Sequence, residues 1–415
     1  MGERWTTRRN REIVLVSHVA VIGGAATMVR NMVDVLREDA WRCSVVCPNG
    51  EGVDRFRTEG VSVVTPPWPI VGFAHTTACS YSFLHPRNLQ GLFRVWRSQN
   101  VWCDYFKSLT AETICLCSLV LAPMAMAARR AGKKVVCLVQ ETGIRGACGL
   151  RTAWLRHTLS KYAHATIFIS EYDKLFWRVK TPIVEVVANW VDIKKFDAHY
   201  SKVLARNQVG IPLDARVVLF MGGVCEIKGT SVLLKAIDLM EDTPNVLCVI
   251  AGYQDDTVRT GLPKANKIWR RFRGIVSTDY HKRVKGLIQS CNLEKRLLFT
   301  GVVGNVVPLY AASDIVVFPA VRPHQARPLI EAGAMAKPVI ISDFSNIREY
   351  AKNNCILVPP NDPCALASAI RNLLDDPVRA EMIRMNNYCF VLKRHSVEEN
   401  GALLVSIFNR VVGNL

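Results

Sequence analysis

Short apolar runs alternate with helix-patterned segments along nearly the whole chain, and this rhythm constrains the fold more than any other feature. Ile13–Ser17 is a β-branched run, followed by a glycine loop and a helical spacing of Met28, Met32 and Leu36. Ser44–Cys47, Val61–Thr65, Val135–Val139, Ala165–Ser170 and Ile183–Ala188 also read as strands. A second series runs through Val217–Met221, Val246–Ala251, Leu297–Thr300, Ile315–Pro319 and Val339–Ser342. Strand–helix alternation with near-continuous apolar strands demands a parallel sheet covered on both faces. The two series break near 189–212, which predicts two doubly wound α/β domains facing a cleft. Local grammar agrees. Asp362-Pro363 reads as an N-cap before proline, Leu366, Ile370, Leu373 and Leu374 mark one helical face, and Asp376-Pro377 stops that helix.

A chain of 415 residues can bury two such cores, and its 50% hydrophobic content excludes a disordered polymer. Fifty-three Lys and Arg against 35 Asp and Glu give +18. That balance calls for an anionic partner: nucleic acid, a membrane face or a phosphorylated substrate. The cations are spread over both halves. The 14 cysteines contain no C-x-x-C pair and fall mostly in apolar runs, so reduced, buried thiols are expected rather than zinc or a disulfide scaffold. The N-terminal apolar stretch is too short and too broken for a signal peptide. The run near Thr113–Ala128 has weak membrane-span character, interrupted by Ser118 and Pro123. A soluble, cytoplasmic protein is expected, peripheral on a membrane at most.

Three segments carry chemistry. Gly23-Gly24-Ala25-Ala26 follows a strand and opens a helix, either as an anion-binding amide terminus or as a plain tight turn. The dinucleotide spacing is not met. Gly222-Gly223 and then Lys228-Gly229 follow the strand Val217–Met221; Lys228 is placed to meet an anion, or is a solvated loop lysine. After Ile315–Pro319 comes Arg322-Pro323-His324-Gln325-Ala326-Arg327-Pro328, opening a helix with Glu331 one turn in. Glu331 can accept two hydrogen bonds from a sugar or ribose diol, or can serve the helix dipole.

Taken in order, these motifs resemble the family-4 glycosyltransferases, retaining nucleotide-sugar enzymes of the GT-B fold. The resemblance rests on Asn189-Trp190-Val191-Asp192, Gly222 to Gly229, Phe299-Thr300-Gly301, Leu309 to Asp314, Ile330 to Ile340 and Asn361-Asp362-Pro363. It implies an acceptor-side domain at 1–188, with the final helix at 397–415 packing back onto it, and a nucleotide-sugar domain at 189–396. Lys228 would bind the donor diphosphate and Glu331 the ribose hydroxyls. Gly23 and Gly24 would flank the diphosphate, and backbone near Gly301 and Val303 would meet the base. Gly222, Gly223, His324, Ala326 and Arg327 complete the implied donor set. Three departures stand out. Gly223 occupies a position where the family usually has arginine, Pro323 replaces the first glutamate of a pair, and Gln140-Glu141 stands for a histidine–aspartate pair. We expect Arg327 to replace the missing arginine charge and His324 to take a sugar or phosphate contact.

The absence of a D-x-D motif after a strand predicts an enzyme without metal or other cofactor. Lys228 and Arg327 would stabilise the leaving diphosphate, with Glu141 orienting the acceptor hydroxyl. The resemblance implies retention by same-face attack, on a glycan or lipid-linked acceptor. Tyr81–Phe106 mixes aromatics with Arg87, Arg94, Arg97 and Lys107, and Lys264–Arg273 through Lys285 is a second basic stretch. Both suit an anionic membrane surface or are core aromatics with a solvated basic face. Nucleic acid ranks lower. A same-fold epimerase or hydrolase, or a non-catalytic basic scaffold, are the rival readings.

Overall fold

The computed structural model describes residues 11–19, 23–70, 86–145, 147–252, 280–325, 327–351 and 353–413. The chain divides into two compact units, Met1–Asn189 with Glu398–Leu415, and Trp190–Val397.

The first unit holds a seven-stranded sheet: β1 Glu12–Val16, β2 Arg42–Val46, β3 Ser62–Val64, β4 Thr113–Leu116, β5 Lys134–Val139, β6 Ala165–Phe168 and β7 Ile183–Val186. Their order is β3-β2-β1-β4-β5-β6-β7, every pairing parallel. The central β1 sets Ile13 opposite Cys43 on one side and Thr113 on the other. β4 and β6 are buried at every residue, as a sheet covered on both faces requires. Helix Gly24–Glu38 turns Met28, Val29, Met32, Val33 and Leu36 inward. Helix Val397–Gly413 returns to this unit. Phe408 meets Trp41 edge-on at 5.9 Å, Lys134 Nζ donates to Val412 O at 3.0 Å, and Arg410 pairs with Glu185 at 2.8 Å.

The second unit holds six parallel strands: β8 Arg216–Phe220, β9 Val246–Ala251, β10 Leu297–Gly301, β11 Ile315–Phe318, β12 Val339–Ser342 and β13 Ile356–Val358. Their order is β10-β9-β8-β11-β12-β13. Its core joins Val217–Phe220, Val316–Phe318 and Val339–Ile341 to Leu233, Leu234 and Ile237 of helix Thr230–Asp238. Asp362 Oδ1 accepts from Ala365 N at 2.9 Å and starts helix Pro363–Asp375, with proline in its first turn. Asp376 both ends that helix and caps the next, Pro377–Arg394, by accepting from Arg379 N at 2.9 Å.

The apolar run at 113–128 is not a span. It divides into β4, a 3-10 turn at Leu119–Leu121 and the start of helix Met124–Arg130. Among the described residues no helix is long and apolar enough to cross a membrane. Among the described cysteines, Cys43, Cys47, Cys103, Cys115, Cys117, Cys137, Cys248 and Cys355 are buried, while Cys148, Cys364 and Cys389 are exposed; all are free thiols. The basic stretch Lys264–Arg273 and the pair Asp255-Asp256 lie outside the described residues.

Candidate active site

The order of the second sheet puts its topological switch point between β8 and β11. In open parallel sheets, ligands gather beyond the carboxyl ends of the strands at such a point. The residues singled out in the second half leave the sheet there or on neighbouring strands.

The ends of β8, β9 and β10 form a floor of bare backbone. Gly223 N donates to Ala251 O at 2.8 Å, and Gly252 N donates to Gly301 O at 2.8 Å. A Cβ on Gly252 would stand 2.9 Å from Gly223 N, so main chains pass closer than any side chain allows. Gly223 and Gly301 both take positive φ, and the space beside Gly301 is open. Gly222 is packed on the ring of Phe220 with no room for a Cβ. Val303, just beyond Gly301, is partly buried against the core. Thr230 fixes the turn: its Oγ1 accepts from Cys225 N at 2.9 Å and donates to Gly223 O at 2.7 Å.

The β8 and β11 loops are stitched together. Val321 N donates to Ile227 O at 2.9 Å. At Gly229 φ is +86°, and a Cβ would fall 1.8 Å from Pro319 O. Only glycine satisfies both demands, and its presence sets Lys228 beside the β11 loop. Partly buried Lys228 is close enough for its field to act on His324. His324 stacks on Phe318 with ring centroids 5.9 Å apart, and Asn346 Nδ2 donates to its carbonyl at 3.2 Å. Burial, helped by the Lys228 charge, lowers the imidazole to about 4. At neutral pH His324 therefore offers an uncharged ring.

Helix Arg327–Ala334 follows. Glu331 is clamped: Arg327 Nε donates to its Oε1 at 2.7 Å, and Tyr310 Oη donates to its Oε2 at 2.8 Å. Glu331 and Arg327 side chains are only 12% and 15% exposed, so this pair sits in a strongly desolvated position. Burial, then the Glu331 charge, push the Tyr310 phenol well above its ordinary value, which keeps it a donor. A carboxylate has about four acceptor sites, and the clamp uses two. The free guanidinium charge expected at Arg327 is thus largely committed to Glu331. Ala326 lies outside the described residues.

In the first unit the switch point lies between β1 and β4. Gly23, extended, precedes the helix whose first residue is Gly24; both are exposed, and no side chain caps that terminus. Glu141 follows β5 and is held by Ser118 Oγ, by Leu119 N at 2.9 Å and by Gln140 N at 3.1 Å. Burial raises its carboxyl, against the pull of those donors. It serves the start of the 3-10 turn at Leu119, a role that the acceptor-orienting expectation did not contain.

Gly252, Thr230 and Tyr310 were missed as site residues. Gly252 had a readable signal, a glycine straight after an apolar strand. Tyr310 had none, because only the fold brings it to Glu331. Among the described residues no cluster of three or more His, Cys, Asp or Glu could hold a metal ion.

Residues 202–389 match the family described as glycosyl transferases group 1. A glycosyltransferase of Methanocaldococcus jannaschii, itself uncharacterized, is 25% identical over 232 residues, 54% of this chain and 53% of that protein. D-inositol 3-phosphate glycosyltransferase of Kineococcus radiotolerans is 26% identical over 47% of this chain and 45% of its own. The chain thus spans about half the length of the curated relatives it matches. Among solved structures, Anabaena HepE in complex with UDP and glucose superposes with a TM-score of 0.73 at 17% identity, covering 96% of this chain and 99% of that one. Sucrose-phosphate synthase from Thermosynechococcus elongatus gives 0.73 at 19% identity over 98% and 100%. The fold is that of the GT-B glycosyltransferases.

Proposed function

We propose that this protein is a glycosyltransferase that moves a sugar from a nucleoside-diphosphate sugar to a hydroxyl acceptor on a glycan or glycolipid. The observation that carries the reading is the arrangement at the β8/β11 switch point: bare glycine backbone, Lys228 beside it, and a doubly anchored Glu331 with two acceptor sites left. A lysine beside main chain that carries no side chains suits a diphosphate. A fixed carboxylate suits a ribose diol. Structures sharing the fold are described as bound to UDP or UDP-glucose, which makes uridine diphosphate sugars the first donors to try. Several matched relatives are named for inositol 3-phosphate, which makes a phosphate-bearing acceptor the first class to try.

On this reading Lys228 stabilises the leaving diphosphate, and His324, neutral, makes a sugar or phosphate contact. Gly23 and Gly24 form a further anion-binding terminus. The reaction proceeds with retention and without metal: the acceptor oxygen bonds to the anomeric carbon as the bond to the diphosphate breaks. The acceptor proton passes to the departing phosphate oxygen. Glu141 positions the loop after β4 and does not take that proton.

The test is a thermal-unfolding panel of nucleoside diphosphates and nucleotide sugars. A specific ligand at 100 times its dissociation constant adds about 2.7 kcal/mol. Lys228→Ala should lose the shift, and turnover should fall about 10²–10³-fold with the charge-assisted contact gone. No shift with any ligand would sink the proposal. Donor consumption without acceptor would move it to a hydrolase or epimerase, and binding without turnover to a scaffold.

A further inference from the structure

The aromatic and basic segment after residue 80 divides once it is folded. Helix Pro86–Ser108 buries Val95, Gln99, Trp102, Cys103 and Phe106, spaced as one helical face. Trp102 and Tyr105 meet Trp68 edge-on at 6.0 and 5.7 Å. These aromatics are core. Phe93 and Trp96 are not: they are 56% and 72% exposed, with ring centroids 6.0 Å apart. Val101, 43% exposed, extends the apolar area along the helix.

The surround is cationic. Arg94 and Arg97 are exposed, and among the described residues neither has an ion pair. Exposed Arg130 joins the rim through Asn100, Nη1 to Oδ1 at 3.2 Å. The nearest acid on the helix, Asp104, lies beyond Val101 and faces Lys107 at 3.5 Å. A tryptophan and a phenylalanine in water, flanked by exposed guanidinium groups, match a surface with phosphate at its top and hydrocarbon just beneath.

We propose that this helix face, centred on Phe93 and Trp96, docks the protein on an anionic lipid bilayer. Indole and phenyl rings enter the headgroup boundary while the arginine heads stay at phosphate level. Two other partners fit less well. Single-stranded nucleic acid wants a groove with rings spaced to stack successive bases; here the two rings touch each other on one convex helical surface. A second copy would bring one +18 chain against another. The inference does not depend on the transferase reading, because docking is measured with no sugar present.

The experiment is sedimentation of the full chain with vesicles of phosphatidylcholine alone, or of equal parts phosphatidylcholine and phosphatidylglycerol. Binding is expected to the mixed vesicles only. Arg94→Glu with Arg97→Glu should weaken it at least about 25-fold, from roughly fivefold per surface cation. Phe93→Ala with Trp96→Ala should weaken it roughly tenfold at constant charge. Arg379→Glu with Lys393→Glu makes the same charge change on the exposed face of helix Pro377–Arg394, in the other unit, and should change binding little. All substituted side chains are exposed, so circular dichroism and the unfolding temperature should match the parent. Equal loss in the control pair would reduce the effect to net charge and overturn the proposal. Unchanged binding in the aromatic pair would do the same. A single-stranded oligonucleotide that binds this face in preference to vesicles, and loses affinity with the same substitutions, would reassign it to nucleic acid.

Discussion

Tyr310 and Arg327 hold one carboxylate from two directions, so the cost of removing either is carried by Glu331. Tyr310→Phe deletes only the 2.8 Å hydrogen bond to Glu331 Oε2 and leaves the ring packed against Phe196. A hydrogen bond to a charged group contributes about 1.5–3 kcal/mol. If Glu331 meets the ribose, the variant should raise donor KM roughly tenfold and leave kcat nearly unchanged, since the ribose contact is made equally in ground and transition states. Steady-state kinetics with varied donor check this; a fall in kcat at constant KM would place Tyr310 in the chemistry instead. Gly229→Ala should be far more damaging. It combines strained φ with a methyl group 1.8 Å from Pro319 O, a loss of about 3 kcal/mol or more. Urea unfolding should show it, together with loss of any nucleotide-induced shift. The Arg327–Glu331 pair was legible in principle, since residues four apart on a helix are neighbours. Reading each side chain as aimed at a ligand hid the simpler contact between them.

At the scale of elements, what was legible and what was not follows from periodicity. β1, β5, β8 and β11 are short β-branched runs bounded by polar or glycine residues, and the pattern located all four. β4 escaped because Thr113–Leu116 leads into a 3-10 turn and a helix that are themselves buried. A continuous apolar stretch carries no period to separate strand from helix. β13, the edge strand Ile356–Val358, escaped as well. Capping was the most readable feature of all: Asp362 accepts from the backbone three residues on, as its place before proline implied. Asp362→Ala should therefore cost about 1 kcal/mol, within the usual 0.5–2 for an N-cap. Helix Pro363–Asp375 packs against helix Thr230–Asp238, and the prediction concerns stability. Equilibrium unfolding should register the loss, and an unchanged midpoint would mean that neighbouring packing, not the cap, sets this helix start.

For the molecule as a whole, the +18 charge separates into groups with different work. A few cations, Lys228 among them, stand at the proposed donor site; Arg327 is balanced by Glu331; Arg94 and Arg97 flank an exposed aromatic pair. The pH dependence of stability is set by other, buried groups. His18 and His324 are lowered to about 4, chiefly by burial, and so is the half-buried His164. Each takes up a proton near 6.5 in the unfolded chain and only near 4 in the folded one. Below 6.5 the unfolded state therefore binds more protons, and stability falls as pH drops toward 4. On the alkaline side, Cys43, Cys47, Cys248 and Cys355 are pushed up to between about 11 and 12, and Cys115 and Cys137 are raised as well, all by burial or by neighbouring thiols. Unfolded thiols ionise near 9, so stability falls again above that value; Lys337, lowered to about 8, opposes this with a single group. A plateau between about pH 6.5 and 8 is the expected outcome, with a small rise from Lys337 before the thiols act. Urea midpoints across that range check it, and His324→Gln isolates one contribution. With one imidazole removed, the acid limb should flatten by up to about 1.4 kcal/mol per pH unit. An acid limb of the same slope in His324→Gln would mean that the ring is already solvated in the folded protein, and its stacking on Phe318 would then carry no electrostatic consequence.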